Sequence, residues 1–150
     1  MPAWSPDCSK IVFLRTSGSF DDIFVMDLAT GNTKHVVSSP YDEGKPVWSP
    51  DGNSLVFTRV MNDTNGDGFV NLNDRADLYM IPAVGGAEIK LTQGQYSVFS
   101  PSFSPDGSQI VFIDFVGGID HQQIYTYSLV THQFTSITES GAYNHTSWSP

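Results

Sequence analysis

The sequence predicts an all-β protein, a β-propeller built from about three four-stranded antiparallel blades. An aromatic-Ser-Pro phrase begins at Trp4, Trp48, Phe103 and Trp148, and its serines follow one another at steps of 44, 55 and 45 residues. The segments between these phrases are short β-branched and aromatic runs bounded by turn residues, without a helical pattern. A period near 45 residues that contains four strands is typical of propeller blades.

The second repeat shows the elements of one blade in order. Residues 46–48 are predicted to form a short strand, and residues 49–52, Ser-Pro-Asp-Gly, favour a tight turn. Residues 54–59, 77–81 and 88–92 are predicted to be the second, third and fourth strands. Each of these segments combines β-branched or aromatic residues with a length too short for a helix.

The other two repeats contain the same series of segments. They lie at 10–15 and 109–114 for the second strand, 22–27 and 123–127 for the third, and 33–37 and 134–138 for the fourth. The chain is therefore expected to be one partial propeller, with repeat units at about 2–45, 46–100 and 101–146, and a fourth unit beginning at 147–150.

Composition narrows the classes of partner. The 150 residues include 39% hydrophobic and 13% aromatic residues, which is enough for a packed core. Sixteen acidic residues against seven basic ones give a net charge of −9, which argues against nucleic acid as a partner. The sequence has no apolar run long enough to insert into a membrane. Cys8 is the single cysteine, so neither an intrachain disulfide nor a cysteine-based zinc site is expected.

These repeats resemble the TolB-type, WD40-like (PD40) propeller repeat. The resemblance rests on the Trp-Ser-Pro-Asp-Gly phrase of residues 48–52 and on strands such as Asp-Ile-Phe-Val-Met-Asp at 22–27, and it covers essentially the whole chain. It implies a propeller fold and export to the periplasm or the extracellular space. Similar blades occur in TolB and in the propellers of prolyl-oligopeptidase-like peptidases, so the resemblance implies no particular ligand. Cys8, Phe103 and Gln123 depart from the pattern.

The repeated phrase is expected to have a structural role. Its Trp and Phe side chains are predicted to pack between blades, and its Ser-Pro-Asp-Gly residues to form a turn. A recurring serine and aspartate do not make a catalytic triad, and no Gly-x-Ser-x-Gly motif is present. The sequence therefore predicts no catalytic residue and no enzyme activity for this chain.

The middle repeat is about 11 residues longer than its neighbours, and the excess has one location. From the turn aspartate to the first residue of the third strand the steps are 15, 26 and 17 residues in the three repeats. From there to the next proline of the phrase they are 28, 28 and 27 residues. The extra residues therefore form a loop between the second and third strands of the middle blade, within 61–76.

Residues 63–74 of this loop fit the twelve-residue calcium loop of the EF-hand type. Gly68 stands at loop position 6, where the chain must turn sharply, and Phe69 can offer its carbonyl at position 7. Side-chain oxygens stand at positions 1, 3, 5, 9 and 12, which are Asp63, Asn65, Asp67, Asn71 and Asp74. A hard cation prefers several oxygen ligands, and alternate residues of a tightly curled loop point towards one centre. The loop therefore predicts a structural Ca²⁺ site.

Two departures from the EF-hand pattern keep an alternative open. No flanking helices are predicted, and Asp74 replaces the usual glutamate, as in the loops of dockerin modules. The alternative is a polar surface loop, because Asn, Asp and Gly all favour turns. Asp77 aligns with Asp22 at the start of a third strand, so it is interpreted as a repeat residue and not as a ligand.

The connections between blades should line the mouth of the propeller channel. Tyr41, Tyr96, Tyr143 and His145 lie in these connections and are the candidate binding rim. The four histidines of the chain have no metal-ligand spacing, so they are expected to be surface or packing residues.

The sequence predicts a non-catalytic scaffold that binds a protein or a glycan, carries Ca²⁺ in one loop and is exported. Since propellers have typically four to eight blades, the ring needs further blades in the same chain or a second copy. The alternative function is the substrate-gating propeller of a prolyl-oligopeptidase-like serine peptidase. Its Gly-x-Ser-x-Gly domain would lie outside residues 1–150.

Overall fold

A computed structural model describes residues 2–68, 74–115, 121–143 and 145–148. Within these ranges the chain has twelve β-strands and no α-helix. They are β1 (Ala3–Trp4), β2 (Lys10–Ser17), β3 (Phe20–Asp27), β4 (Thr33–Val37), β5 (Asp42–Trp48), β6 (Ser54–Val60), β7 (Ala76–Pro82), β8 (Ile89–Lys90), β9 (Val98–Phe103), β10 (Gln109–Asp114), β11 (Gln123–Ser128) and β12 (Phe134–Ser136).

Each group of four consecutive strands forms one antiparallel sheet. The sheet orders are β1-β2-β3-β4, β5-β6-β7-β8 and β9-β10-β11-β12, so every strand pairs with its neighbour in sequence. The predicted fold class, three four-stranded antiparallel blades of a partial propeller, is confirmed. We call the three sheets blades 1, 2 and 3. No helix in the described ranges is long and apolar enough to cross a membrane.

The strands differ from the predicted segments mainly at the first strand of a blade. β5 begins at Asp42 and β9 at Val98, both several residues before the segments expected from the repeat phrase. Each has a register shift against its partner strand, a bulge that lets pairing continue on both sides of an irregular residue. β8 is shorter than predicted, only two residues long.

The repeat phrase forms the turn between the first and second strands. In the second blade, Ser49 Oγ donates to Asp51 Oδ1, and Gly52 N donates to Ser49 O at 2.9 Å. Gly52 has φ 72°, a left-handed conformation that glycine adopts without a Cβ penalty. In the first blade Cys8 occupies this position with φ 59°.

The core lies between neighbouring blades. One buried cluster joins side chains of blades 1 and 2, including Val12, Ile23 and Phe57, and a second joins blades 2 and 3, including Leu78 and Phe112. Alternate residues of each strand face opposite sides, so a middle blade contributes to both clusters.

The aromatic residue of the phrase packs at these interfaces. Trp48 is 6% exposed and Phe103 8% exposed. Trp48 Nε1 donates to Ala3 O at 3.1 Å, and Trp148 Nε1 donates to Ser102 O at 3.2 Å. Each bond joins a tryptophan to a backbone carbonyl about one repeat earlier in the sequence. Trp4 differs from the predicted packing, because it is 61% exposed and none of the described strands covers it.

Candidate functional site

The first strands of the three blades meet along a cavity of about 730 Å³. Its wall includes Ala3 of β1, residues 43–47 of β5, and residues 98–101 of β9 with Ser97 just before them. Because β1, β5 and β9 are edge strands of their sheets, the cavity lies where the edges of the three blades converge. Cavities of this size are large enough to hold a small ligand or a short peptide segment.

The bulges of β5 and β9 are part of this wall. Lys45 has φ 50° and Ser100 has φ 53°, and each precedes a proline. Left-handed backbone costs a non-glycine residue about 1 to 2 kcal/mol, and a following proline restricts its conformation further. Blades 2 and 3 therefore store backbone strain at the same repeat position, beside the cavity.

The cavity wall is mainly apolar and carries charges of both signs. Phe99, Phe115 and Val98 are among its apolar residues. Lys45 places its Nζ 4.7 Å from the centre of the Phe99 ring, a cation–π contact. The wall also contains three acidic residues and one histidine: Asp21, Glu43, Asp74 and His145.

A buried ion-pair network lies behind the cavity wall in blade 2. The Arg59 side chain, 8% exposed, donates from Nε to Glu43 Oε1 at 2.7 Å. Its two terminal nitrogens donate to Glu88 at 2.7 and 2.9 Å. Burial alone would lower the pKa of Arg59, but the hydrogen bonds to Glu88 and Glu43 outweigh it and raise that pKa. Arg59 is therefore a fixed cation behind this wall.

Asp77 has a structural role at the start of β7. Its Oδ1 accepts from Thr92 Oγ1 at 2.6 Å and from Gly94 N at 2.7 Å, and its Oδ2 pairs with Lys90 Nζ at 2.7 Å. The hydrogen bond to Asp77 raises the pKa of Lys90. These contacts are in keeping with its interpretation as a repeat residue.

The first part of the inserted loop curls around the Asp63 carboxylate. Gly66 N donates to Asp63 Oδ1 at 2.7 Å and Gly68 N donates to Oδ2 at 2.9 Å. Asn65 Oδ1 accepts from Asp67 N at 2.8 Å. Asp63, Asn65 and Asp67 therefore lie on one exposed curl of the loop. Carboxylate and amide oxygens of this kind are the ligands that a hard cation prefers.

The end of the loop is held by the Asp74 carboxylate, and not by Asp63. Asp74 is buried, and its Oδ1 accepts from Thr64 N at 2.7 Å and Asn65 N at 3.0 Å. Arg75 N donates to Thr64 Oγ1 at 2.8 Å, so the two ends of the loop are held together. Asp74 therefore closes the loop by accepting hydrogen bonds from backbone amides. It also lines the cavity.

The donor set fits a hard cation in part. Three of the six predicted ligands share the exposed curl, Asp74 is used in loop closure, and Phe69 and Asn71 lie outside the described residues. In the described ranges no group of three or more His, Cys, Asp or Glu side chains is arranged to hold a metal ion. The Ca²⁺ site therefore stays a prediction.

The four candidate rim residues are not brought together. Of these four residues, only His145 lines the cavity. Tyr96 packs against Phe112, Tyr125 and Phe134, with ring centres 5.5, 4.8 and 4.9 Å away, and burial raises its pKa.

The other two tyrosines make local contacts. Tyr143 N donates to Gln122 Oε1 at 2.7 Å, and Tyr143 OH donates to Glu139 O at 3.1 Å. Tyr41 N donates to Ser39 Oγ at 3.2 Å.

The phrase serines do not form a nucleophile site. Their hydroxyl groups donate to the turn aspartates, as Ser104 Oγ does to Asp106 Oδ1 at 2.6 Å. These bonds hold the pKa of Asp106 at about 2, so the carboxylate is charged and fixed in the turn. Among the described residues, no serine hydroxyl is hydrogen-bonded to a histidine.

The cavity and the Arg59 network are the features that sequence reasoning missed. Arg15 and Arg59 stand at the same position of the second strand in their repeats. This recurrence is the signal in the sequence that could have indicated a structural role for arginine there. Nothing in the sequence marks Glu43 or Glu88 as its partners, because Glu43 lies on another strand, β5, and Glu88 directly precedes β8.

Three edge-to-edge blades around a shared cavity define the chain as part of a β-propeller. The family model of the TolB beta propeller domain (PD40) matches residues 1–150, so the chain belongs to this family. The Protein TolB homolog of Chlorobium chlorochromatii (strain CaD3) is 29% identical over 112 residues, which is 75% of this chain and 22% of that protein.

Solved structures show the same fold. A putative TolB from Agrobacterium tumefaciens superimposes with a TM-score of 0.75 at 20% identity, over 97% of this chain and 52% of that one. A prolyl endopeptidase superimposes with a TM-score of 0.70 at 14% identity, over 94% of this chain and 22% of that one. The chain therefore spans about half or less of the proteins that it matches. At these identities the structures establish the fold alone.

Proposed function

We propose that this chain is a non-catalytic propeller scaffold, exported to the periplasm, that binds another protein or a glycan through the cavity along β1, β5 and β9. The observation that carries the proposal is the cavity itself, because strands from all three blades converge on it. Its apolar wall, with Lys45 and several acids, suits a polypeptide segment that brings apolar and charged side chains together. Similarity to proteins named TolB favours a protein over a glycan and favours export.

Site-specific photo-crosslinking tests this proposal. A photoreactive phenylalanine replaces Phe99 in the cavity or, as the control, Val130, which is exposed at a turn and does not line the cavity. Irradiation in an envelope extract of the producing organism should give a discrete protein adduct from position 99 and none from position 130. Adducts from position 130 alone, or no adduct from either position together with no glycan binding, would contradict the proposal. Glycan-array binding that is lost in Phe99→Ala would identify a glycan instead.

We also propose that the loop 63–74 binds Ca²⁺ as a structural ion. Asp63, Asn65 and Asp67 would hold it, with Phe69, Asn71 and Asp74 as the further ligands predicted from loop spacing. The support is the curl of the loop around Asp63 and the three carboxylates within twelve residues, which repel one another without a cation. At ten times its dissociation constant, Ca²⁺ would stabilise the fold by about 1.4 kcal/mol. Since Asp74 also lines the cavity, the ion would stiffen one side of the binding site.

Titration calorimetry with CaCl₂ tests the ion site. The parent chain should bind one equivalent, Asp63→Ala/Asp67→Ala should not, and Glu139→Gln should match the parent because Glu139 is an exposed acid outside the loop. Equal heats from the parent and the double variant would locate the ion elsewhere. No heat from the parent would leave the loop as an ordinary polar turn.

Two exposed residues support closure of the ring by further blades. Trp4 is exposed although Trp48 is buried, and Ile137 is exposed although its equivalent Leu91 is buried against the next blade. We propose that further blades, in the same polypeptide or in a second copy, cover these two faces. Sedimentation equilibrium separates the two cases, because a mass of one chain excludes the second copy.

The second candidate function is the gating propeller of a serine peptidase. The prolyl endopeptidase likeness favours it at the level of fold. It requires a hydrolase domain in the same open reading frame, so the gene sequence on either side of residues 1–150 tests it.

A further inference from the structure

Two buried carboxylate oxygens lack a hydrogen-bond partner among the described residues. They are Asp22 Oδ1 and Glu43 Oε2. Asp22 is 3% exposed and Glu43 is 1% exposed, so solvent does not solvate these atoms. An unpaired buried carboxylate oxygen is costly, and two of them in one region call for a physical explanation.

Both residues lie in the contact between blades 1 and 2. Asp21 N, at the start of β3, donates to Asp42 Oδ1, at the start of β5, at 3.2 Å. Asp22 and Glu43 are the next residue on each strand. The charge of Asp22 is close enough to contribute to the pKa of Glu43.

The other oxygen of each carboxylate already has its partners. Asp22 Oδ2 pairs with His35 Nε2 at 3.0 Å. Glu43 Oε1 accepts from Ser39 Oγ at 2.6 Å and from Arg59 Nε at 2.7 Å. The donors of blades 1 and 2 therefore hold one side of each carboxylate and leave the other side without a donor.

The charges around the pair of carboxylates, Asp22 and Glu43, do not balance. Asp22, Glu43 and Glu88 are three carboxylates, and Arg59 is the one buried cation among them. His35 is partly exposed and adds a positive charge only when it is protonated. Glu43 also lines the cavity, whose other charged or titratable residues are Asp21, Lys45, Asp74 and His145, and these do not supply a net positive charge. The contact between blades 1 and 2, called the seam below, could therefore accommodate one further positive charge.

We propose that Asp22 and Glu43 hold a single proton between them in the folded protein, as a hydrogen bond from Glu43 Oε2 to Asp22 Oδ1. One proton supplies a donor to one orphaned oxygen and makes the other its acceptor, and it removes one negative charge from the buried seam. The proton comes from solvent and no other bond is made or broken. In the described ranges no set of three acidic or histidine ligands is arranged for a metal, which favours a proton over a metal ion.

The pKa of Glu43 moves in the direction that this arrangement needs. Burial is the largest cause that raises it above its usual 4.5, and the charge of Asp22 acts in the same direction. Because the folded state binds this proton more tightly than the unfolded state, the contribution to stability is fully present below pH 4.5. It is lost as the pH rises through the raised pKa of the folded protein. Loss of the proton also adds a negative charge to the cavity wall, so the site would sense pH.

Urea unfolding of the 150-residue chain from pH 4.5 to pH 8 tests the proposal. The folding equilibrium constant of the parent, divided by that of Glu43→Gln, should fall by up to tenfold per pH unit until the folded pKa is passed. Asp77→Asn is the matched control, because its aspartate has its full set of donors, and this variant should keep the slope of the parent. Parallel profiles for the parent and Glu43→Gln would overturn the proposal.

A direct titration keeps the proposal testable if Glu43→Gln does not fold. The side-chain carboxyl carbon of Glu43, followed by ¹³C NMR in the parent, should titrate above 4.5, and a midpoint at or below 4.5 would refute the shared proton. A stability change on adding a chelator or NaCl at constant pH, absent in Glu43→Gln, would identify a metal ion in its place and also refute it.

Discussion

Blades 1 and 2 place an aspartate at the same position of their third strands but satisfy it differently. Asp77 of blade 2 has a donor for each of its oxygens. Asp22 of blade 1 pairs through one oxygen and leaves Oδ1 buried without a donor. Two donors make the difference. Thr92 Oγ1 and Gly94 N both donate to Asp77 Oδ1, whereas blade 1 has Val37, which has no hydroxyl, at the position of Thr92. A sequence repeat can therefore keep a charge while losing the partner that satisfies it.

The arginines of the two blades show the same effect of surroundings. Arg59 of blade 2 is buried between two carboxylates, Glu43 and Glu88. Arg15 of blade 1 is exposed and lies over the Phe24 ring, 3.8 Å from its centre. The side chain and its repeat position are equal, and only the neighbouring blade and the acidic partners differ. The energetic role of a repeated residue is thus set by what covers it.

The largest expected difference is between the two arginines. Arg59→Ala should lower the free energy of unfolding by about 3 to 5 kcal/mol, because it leaves Glu43 and Glu88 without their cation. Arg15→Ala should cost at most about 1 kcal/mol, since its contact is exposed. Urea unfolding of both variants at pH 7 measures the difference. Equal losses would show that the buried network contributes no more than a surface contact.

Exchange of the hydroxyl between blades should have an intermediate effect. Thr92→Val removes a donor to Asp77 and an acceptor for Leu78 N, and should cost about 1 to 3 kcal/mol. Val37→Thr adds a hydroxyl beside Asp22 and should raise stability at pH 8 by up to about 1 kcal/mol.

The pH dependence of the free energy of unfolding is the control for the variants Thr92→Val and Val37→Thr. Val37→Thr should show a weaker fall in stability between pH 4.5 and pH 8 than the parent, because Asp22 Oδ1 no longer depends on a shared proton. An unchanged slope would mean that the missing hydroxyl is not the cause of the difference between the blades.

The smallest expected effect is at the turn of the repeat phrase. Cys8 holds φ 59° where Gly52 holds φ 72°. Cys8→Gly should raise stability by about 0.5 kcal/mol through relief of left-handed strain, offset in part by the entropy of glycine, and Gly52→Ala should lower it by about 1 kcal/mol. Thermal unfolding of both variants measures the changes. A loss of stability in Cys8→Gly would show that the cysteine side chain makes a compensating contact.

Sequence periodicity was sufficient for the fold because each blade is a local unit. The strands at 33–37 and 109–114 have the bounds that the repeat pattern predicts, since hairpins pair residues close in sequence. The early starts of β5 and β9 depend on bulges at Lys45 and Ser100. The following prolines are compatible with a bulge but also with the start of a strand, so the sequence alone does not decide between them.

The candidate site was predictable only where its chemistry is local. The curl of the loop around Asp63 follows from spacing within a few residues. The rim residues were chosen by their place in connections, and Tyr96 instead packs among aromatic side chains of blade 3, because apolar area favours burial over exposure at a rim.

The sequence alone determined the blade period, the strand order and the position of the inserted loop, because all three depend on short-range pattern. The tertiary structure alone decided which blade covers which, that Glu43 meets Arg59, that Asp22 lacks a donor and that three edge strands share one cavity. The physical reason is that burial arises where blades pack on one another, and that Glu43 meets Arg59 through the register of β5 against β6, neither of which follows from short-range pattern.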